Sequence, residues 1–193
     1  MITQRTKSTH ETKQRIVDAA LKLFVDQGVD ATTTRHIAAA AKIAEGTIYR
    51  HFESKDALAK ELFEGEFVPF SKALQQIVEG EGTTIERIAL TVRHFYRCFD
   101  AEPAKWAYIM TFQGGAWSRV PADVMTPVRL MTDVLSQGNA RKEIKVKDVP
   151  FMTQLLLGLI EHPALGVIYE EIEGPLSGRE KEVMQAIEKL LTH

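Results

Sequence analysis

The sequence has little of what secreted, membrane-bound and zinc-binding proteins need. Cys98 is the one cysteine in 193 residues, so the chain can form no internal disulfide and no cysteine-based zinc site. No apolar run approaches the ~20 residues that a membrane span needs. The first 15 residues also lack the apolar stretch of a secretory signal. These absences favour a protein of the reduced cytoplasm, and we expect no membrane partner.

The sequence also lacks the patterns that are typical of enzymes. It contains no pairing of a nucleophile with a base and no phosphate-binding loop. His94, Glu161 and His162 lack the spacing of a metal site, so structural roles are expected for them. Cys98, beside Phe99 on an apolar stripe, is expected to be a core residue rather than a redox sensor. We therefore expect no enzymatic activity, no metal and no other cofactor.

Charge is nearly balanced over the whole chain, at −2, but it is distributed unevenly. Residues 1–60 carry ten Lys and Arg against seven Asp and Glu, whereas residues 61–193 carry 14 against 19. The first third of the chain should therefore attract an anionic partner more strongly than the rest. Arg5 and Lys7 could reach such a partner as an arm, although a disordered tail is the simpler expectation.

Apolar residues recur along the chain at the spacing of helices and not of strands. The first helix is expected over residues 10–27, ending at Gly28, and the second from a cap at Thr33 to about Ala41. A third helix of about two turns follows, and Ser54 caps the fourth. The first third of the chain is thus predicted to contain three helices before a longer one.

Prolines, glycines and threonines divide the rest of the chain. Pro69 is expected to kink or end the fourth helix, Thr83 and Thr84 to begin the fifth, and Pro103 to begin another. The last amphipathic helix is expected over residues 176–191. The chain is therefore predicted to be all-α, with about nine helices and no internal repeat.

The stretch EGTIYRHF, residues 45–52, combines core and surface residue types in one short segment. Ile48 and Phe52, four residues apart, suit the buried face of a helix. Thr47 and His51 have the same spacing on the opposite face. With the short helix before it, the stretch predicts a helix–turn–helix whose second helix recognises DNA.

The N-terminal end of a recognition helix is the part that meets base edges in the major groove. Gly46 has no side chain, so the backbone there can come close to DNA. Arg50 lies beside the face formed by Thr47 and His51. Tyr49 can rest its ring on the core while its hydroxyl reaches a phosphate.

Residues 16–58 resemble the TetR family of bacterial transcription regulators. The matching segments are IVDAALKLF from Ile16, Gly28, TTTRHIA from Thr32, GTIYRHF from Gly46 and SKDAL from Ser54. The resemblance implies that the first three helices bind DNA and that Tyr49, His51 and Lys55 touch phosphates. The residues predicted to bind DNA are Thr33, Arg35, Glu45, Gly46, Thr47, Tyr49, Arg50, His51 and Lys55.

Four residues depart from the family pattern. Lys42 stands where the turn usually has glycine, so a residue with a side chain is expected at positive φ. Ala44 replaces a capping serine, which costs ~1 kcal/mol. Glu45 replaces a frequently basic residue, and its carboxylate repels phosphate unless it accepts from a cytosine amino group. His36 replaces the acidic residue that would complete a capping box with Thr33.

The resemblance implies a helix-turn-helix DNA-binding domain over residues 1–53 and a helical ligand-binding and dimerisation domain over residues 54–193. The middle of the chain is rich in aromatic residues and methionines, most of which must fill a helical core. The same residue types suit a pocket for an apolar or aromatic ligand. The residues predicted to line such a pocket are Trp106, Met110, Phe112 and Trp117.

Residues 148–172 carry more apolar surface than one buried stripe needs, and the last helix adds an apolar face of its own. The resemblance implies that these helices form a four-helix interface between two copies. Two recognition helices ~34 Å apart would then match successive major grooves of DNA. The residues predicted to form the interface are Phe151, Leu155, Leu159, Val183, Ile187 and Leu190.

These expectations combine into one hypothesis of function. The chain is expected to be a homodimeric repressor that binds a double-stranded DNA operator. A small-molecule effector would release the operator by binding the other state of the protein more tightly. The alternatives are a DNA-binding protein without ligand control, architectural or constitutive, and a transcriptional activator.

Overall fold

The structure is a computed structural model that describes residues 2–111, 120 and 124–192. Within these residues it contains nine α-helices, one short 3-10 helix and no strand, which confirms the predicted fold class. The helices α1 to α9 are Ile2–Ala31, Thr34–Ala41, Glu45–Ile48, Lys55–Glu79, Thr84–Ala101, Pro103–Thr111, Pro127–Ala140, Val149–Ile168 and Glu180–Thr192.

The chain divides into two compact units. Unit 1 comprises residues 1–67 and 104–120, and unit 2 comprises residues 68–103 and 121–193. The helix α4 therefore begins in unit 1 and ends in unit 2. The predicted boundary at residue 53 divides the chain by function rather than by packing, and it stays a prediction.

The first helix is interrupted at the residue where the sequence predicted its end, and helical turns then continue to Ala31. The backbone of α1 leaves the helical region at Gly28, where φ is 83° and ψ is 162°, values that glycine adopts without strain. Just beyond, the buried Thr32 donates its hydroxyl to Gly28 O at 2.7 Å and accepts from Gln27 Nε2 at 3.1 Å. At its other end α1 begins at Ile2, so the expectation of a disordered tail is wrong.

Side-chain caps begin three of the predicted helices, and at the start of α4 Ser54 Oγ accepts from the Ala57 N–H at 3.0 Å. Thr83 caps α5 and forms a complete capping box with Glu86, because the Glu86 carboxylate accepts a hydrogen bond from the Thr83 N–H at 2.8 Å. Those hydrogen bonds lower the pKa of Glu86. Thr33 caps α2 by accepting from the His36 N–H at 3.2 Å, but His36 returns no such bond. The box predicted to be incomplete therefore has one half in place.

The sequence predicts a kink or an end of α4 at Pro69, and an end there is wrong, because the helix continues to Glu79. A proline ring inside a helix meets the carbonyl four residues earlier and removes one hydrogen bond. The helix nevertheless accommodates Pro69 within its length.

The helix α8 also differs from the sequence expectation. It has 20 residues, and its most apolar window of 18 residues has a mean hydropathy of 1.4, so by length and composition it could cross a membrane. The same length and composition occur in helices that lie between protein surfaces. One third of its most apolar window is buried in the structure, and it carries Glu161 and His162.

Unit 2 contains an aromatic core on α5 and the adjoining part of α4. The rings of Phe70 and His94 stack at 5.3 Å, and burial lowers the pKa of His94. The Sγ of Cys98 lies 3.7 Å from His94 Nε2, and this cysteine is half-buried rather than a full core residue. Tyr96 is fully buried, its hydroxyl has no hydrogen-bond partner among the described residues, and burial raises its pKa to about 12.

A buried arginine connects three helices of unit 2. Arg87 on α5 is fully buried and donates from Nη1 to Val78 O at 2.9 Å and to Gln137 Oε1 at 2.7 Å. Within the part of the chain that the structure describes, its Nε and Nη2 have no hydrogen-bond partner, and burial lowers its pKa. Unpartnered buried donors are costly, so Arg87 and Tyr96 are two unusual polar groups in this core.

The packing around Gly138 on α7 leaves no room for a methyl group, so its substitution by alanine should lower stability. A Cβ at this position would collide with Thr84 Oγ1 and lie 3.0 Å from Ile144. The Thr84 hydroxyl cannot move away easily, because it donates to Glu143 at 2.7 Å. We expect Gly138→Ala to lower the free energy of unfolding by ~1–3 kcal/mol, measured by chemical denaturation.

The control for that substitution is Gly65→Ala on α4. A Cβ at Gly65 meets no atom within 4 Å, so the same change should stabilise the helix by ~0.5–1 kcal/mol. Destabilisation by both substitutions would contradict the steric explanation.

The carboxyl of Glu161 on α8 should make the stability of the fold depend on pH. Burial raises its pKa to about 7, whereas the unfolded carboxyl titrates near ~4.3. The folded chain therefore binds more protons between these values, so this group lowers stability as the pH rises from ~4.3 to ~7. We expect Glu161→Gln to remove that loss, measured as the difference in thermal unfolding between about pH 5 and about pH 8. Glu171→Gln, at an exposed glutamate, should leave the wild-type profile unchanged, and equal profiles for all three proteins would contradict the assignment.

Candidate nucleic-acid interface

The turn between α2 and α3 has the geometry that the sequence predicted. Lys42 ends α2 with φ 53° and ψ 51°, so a residue with a side chain does adopt the left-handed conformation. Its N–H is directed to the Ala38 and Ala39 carbonyls. Ala44 precedes α3 and supplies no side-chain cap, as expected from the missing serine.

An arginine of α1 forms hydrogen bonds with two backbone carbonyls of this turn. Arg15 Nη2 donates to Ala41 O and, at 3.1 Å, to Lys42 O. Both carbonyls lie at the C-terminal end of α2, where a cation is favourable. The contact spans 26 residues of sequence and connects α1 to the turn that precedes α3.

The apolar residues of the motif are buried as predicted. Ile37 and Ile48 have no exposed surface, and Phe52 is 4% exposed. The ammonium of Lys13 lies 5.3 Å above the Phe52 ring and 2.6 Å from Glu61, which connects α1, the motif and α4 within unit 1. The motif is therefore anchored through one face.

The recognition helix is shorter than predicted, because α3 covers Glu45–Ile48 rather than two full turns. The chain nevertheless continues to coil, with N–H groups of Arg50, His51 and Phe52 bonded to the Thr47 and Ile48 carbonyls at 2.9–3.2 Å. The face opposite the core is consequently continuous from residue 45 to residue 51.

That opposite face is open to solvent. Tyr49 is 55% exposed, Arg50 is exposed, and Thr47 and His51 are half-exposed. A Cβ at the exposed Gly46 would meet no atom within 4 Å, so another molecule can approach the backbone there. On α2, Thr33 and Arg35 are exposed beside this face.

Lys55 has a structural contact that the sequence did not indicate. Its Nζ donates to Val29 O at 2.5 Å and to Asp30 O at 3.4 Å. These carbonyls lie at the C-terminal end of α1, so the ammonium satisfies acceptors of that helix. Contact of Lys55 with a phosphate stays a prediction.

Thr34 is a site residue that sequence reasoning missed. Its hydroxyl lies 2.6 Å from Glu45 Oε1 and 3.3 Å from the Tyr49 hydroxyl. Thr34 opens α2, Glu45 opens α3, and Tyr49 follows α3, so the two helices are connected through their exposed polar side chains. No sequence pattern relates Thr34 to residues 11 and 15 positions later.

The predicted ligand-lining residues are only partly described. Trp106 is buried and Met110 half-exposed, and both lie on α6 in unit 1, while Phe112 and Trp117 lie outside the described residues. Unit 1 contains an open cleft of ≈ 670 Å³, lined by residues 24–31 with Tyr108 and Thr111, and neither Trp106 nor Met110 lines it. The ligand site stays a prediction.

Most of the predicted interface residues lie at the surface of unit 2. Phe151, Leu155 and Leu190 are 62%, 39% and 43% exposed, and Leu159 and Val183 are half-exposed. Ile187 differs, because it has no exposed surface and packs inside the chain. Its side chain therefore cannot offer surface to a partner, which corrects that part of the prediction.

The segment that contains this candidate interface is similar in sequence to known regulatory proteins. Residues 16–62 match the model of the bacterial regulatory proteins of the tetR family. The HTH-type transcriptional regulator AcrR of Shigella flexneri is 42% identical over 64 residues, which are 33% of this chain and 30% of that protein. The fatty acid metabolism regulator protein of Bacillus subtilis is 29% identical over 82 residues, 42% of each chain. The matched stretch thus spans less than half of either relative.

Similarity in fold extends over most of the chain. The transcriptional regulator FadR from Bacillus subtilis, solved in complex with stearoyl-CoA, aligns with a TM-score of 0.68 and 18% identity. The alignment covers 90% of this chain and 96% of that one. At this identity the similarity concerns the fold.

Proposed function

The chain belongs to the TetR family of bacterial regulatory proteins, and from this premise we propose that it is a cytoplasmic, homodimeric transcriptional regulator and not an enzyme. The observation that carries the proposal is the two-sided motif of unit 1. Ile37, Ile48 and Phe52 are buried on one side, and the polar residues of the same segment are exposed on the other.

The exposed side supplies the groups that DNA binding needs. Arg50, Tyr49 and His51 can reach phosphate oxygens, and such contacts fix the register of a protein on the duplex. Gly46 and Thr47 lie at the start of α3, the part that reads base edges in the major groove. Unit 1 thus offers phosphate contacts that would position the protein on DNA and base contacts that would determine the sequence it prefers.

Dimerisation follows from the exposed apolar residues of α8 and α9. A Phe151 side chain that is 62% exposed and a Leu190 that is 43% exposed are unfavourable in water. We place them in a two-fold interface, which would bring two copies of α3 to successive turns of one face of DNA.

For the effector we propose an apolar ligand, with long-chain acyl thioesters as the first class. The name of the Bacillus subtilis relative refers to fatty acid metabolism, and the solved regulator of similar fold binds stearoyl-CoA. In unit 2 of this chain, the Tyr96 hydroxyl and two Arg87 nitrogens are buried without partners among the described residues. A ligand with polar groups at the end of an apolar chain would supply such partners. Release of a repressed operator requires tighter binding of the ligand to the state that does not bind DNA.

Selection of bound duplexes from a random DNA pool tests the regulator proposal. We expect a two-fold symmetric sequence with half-sites ~10 bp apart or a multiple of that distance. Equal affinity for all duplexes would exclude a sequence-specific regulator and leave an architectural protein. Reporter transcription from the selected operator then separates repression from activation.

Addition of stearoyl-CoA to the complex with the selected duplex tests the ligand half of the proposal. We expect it to release the DNA, while coenzyme A alone, the matched control, should not. If neither compound changes the affinity, acyl thioester control is wrong and the DNA-binding half still stands.

A further inference from the structure

Three polar side chains on the exposed face of unit 1 form a hydrogen-bonded chain. Thr34 Oγ1 lies 2.6 Å from Glu45 Oε1, and the same oxygen lies 3.3 Å from the Tyr49 hydroxyl. Glu45 and Tyr49 are exposed, so both also face the side on which DNA is proposed to bind.

The directions of these hydrogen bonds follow from the number of protons. A threonine hydroxyl has one proton to donate, and a carboxylate can only accept. A 2.6 Å contact has the length of a charge-assisted O–H···O⁻ bond, so the Thr34 hydroxyl donates its proton in a hydrogen bond to Glu45. The contact at 3.3 Å must therefore use the proton of Tyr49. The chain runs from Tyr49 through Thr34 to Glu45.

This direction opposes a phosphate contact. Phosphate oxygens only accept hydrogen bonds, so Tyr49 can bind one only by donating the proton that Thr34 now receives. The Glu45 carboxylate, held in the same cluster, adds repulsion between like charges. DNA binding must therefore break the weaker bond of the chain and overcome the negative charge.

We propose that Glu45, acting through Thr34, is a positioning residue that couples base recognition to the phosphate contact of Tyr49. A cytosine amino group in the major groove donates to carboxylates, and it would draw Glu45 away from Thr34. The Thr34 proton is then free to turn towards Tyr49, and Tyr49 can donate to phosphate. On other sequences Glu45 keeps its bond to Thr34, and the phosphate contact stays weak. This inference rests on the proposed function as a DNA-binding regulator.

The consequence is that this chain lowers affinity for random DNA and thereby raises specificity. We expect Thr34→Val, which removes the hydroxyl and keeps the shape, to increase affinity for a random-sequence duplex by ~3- to 10-fold, the equivalent of one ordinary hydrogen bond. Glu45→Gln should produce at least as large an increase, since it also removes a charge. Affinity for the selected operator should change less, so the specificity ratio falls.

Two controls distinguish this coupling from a general effect of charge or folding. Glu53→Gln removes a charge from another exposed glutamate of unit 1, and it should change random-duplex affinity by less than ~2-fold. In a Tyr49→Phe background, Thr34→Val should have no effect, because no tyrosine proton remains to be released. Thermal unfolding of each variant verifies that the fold is retained.

The experiment separates failure of the inference from failure of the proposed function. If the wild-type chain does not discriminate among duplexes, the proposed function fails and the inference fails with it. If the wild type discriminates but Thr34→Val weakens or leaves unchanged the binding of random DNA, the inference alone is wrong. An increase that persists in the Tyr49→Phe background would also overturn it, because the effect would then not pass through Tyr49.

Discussion

Replacing Phe151 by Asp is expected to convert the dimer into monomers and to lower operator affinity by ~100-fold or more. Phe151 lies in the first turn of α8 and is 62% exposed, with Leu155 one turn later at 39%. Burial of a phenylalanine contributes ~1.5–3 kcal/mol, and a two-fold interface contains the residue twice. An aspartate there would also be buried without a partner, which adds a desolvation cost.

The loss of DNA affinity follows from the loss of linkage between half-sites. Two connected recognition helices exceed the affinity of one by ~10²–10⁴-fold, because the second contact is intramolecular. Sedimentation velocity would give the oligomeric state, and titration of the selected duplex would give the affinity.

The matched control is Leu90→Asp on α5, where an apolar residue is 42% exposed outside the predicted interface. It should leave the chain dimeric and its DNA affinity unchanged. A dimeric Phe151→Asp protein, or a monomeric Leu90→Asp protein, would place the interface on another surface.

Local features of the fold could be predicted from the sequence because they depend on residue types at fixed short distances. The interruption at Gly28, the cap at Thr83 and the positive φ of Lys42 each follow from backbone preferences of one or a few residues. The division of residues 45–52 into a buried and an exposed side follows from helical periodicity in the same way.

Other features depend on contacts between residues that are far apart in sequence. The bonds from Arg15 to Ala41 and from Lys55 to Val29 each span 26 residues, and no pattern of residue types signals them. Ile187 shows the same limit for burial, because an apolar stripe on a helix does not say whether the core of one chain or a partner covers it. The persistence of α4 through Pro69 shows in addition that one proline does not by itself decide where a helix ends.

Replacing Tyr49 by Ala is expected to weaken binding to every duplex, whereas replacing Thr47 by Val should change the preference among duplexes. A phosphate faces Tyr49 on every duplex, so some loss is expected on all sequences, and it should be largest on the operator, where Glu45 has released Thr34. A hydrogen bond to a charged group contributes ~1.5–3 kcal/mol. If each of two copies loses ~1.4 kcal/mol, the affinity falls by ~100-fold. Thr47 lies at the end of α3 that meets base edges, so its effect should depend on the base opposite it.

Titration of both variants with the selected operator and with a random duplex separates these two roles. Leu90→Ala is the control, because Leu90 is 42% exposed, lies in unit 2 and is outside the predicted interface. It should bind both duplexes as the wild type does. A Tyr49→Ala loss as large on the random duplex as on the operator would mean that the phosphate contact does not depend on the release of Thr34 by Glu45. Unchanged binding after both substitutions would mean that DNA contacts another surface, because the exposed side of α3 offers few other groups that reach a duplex.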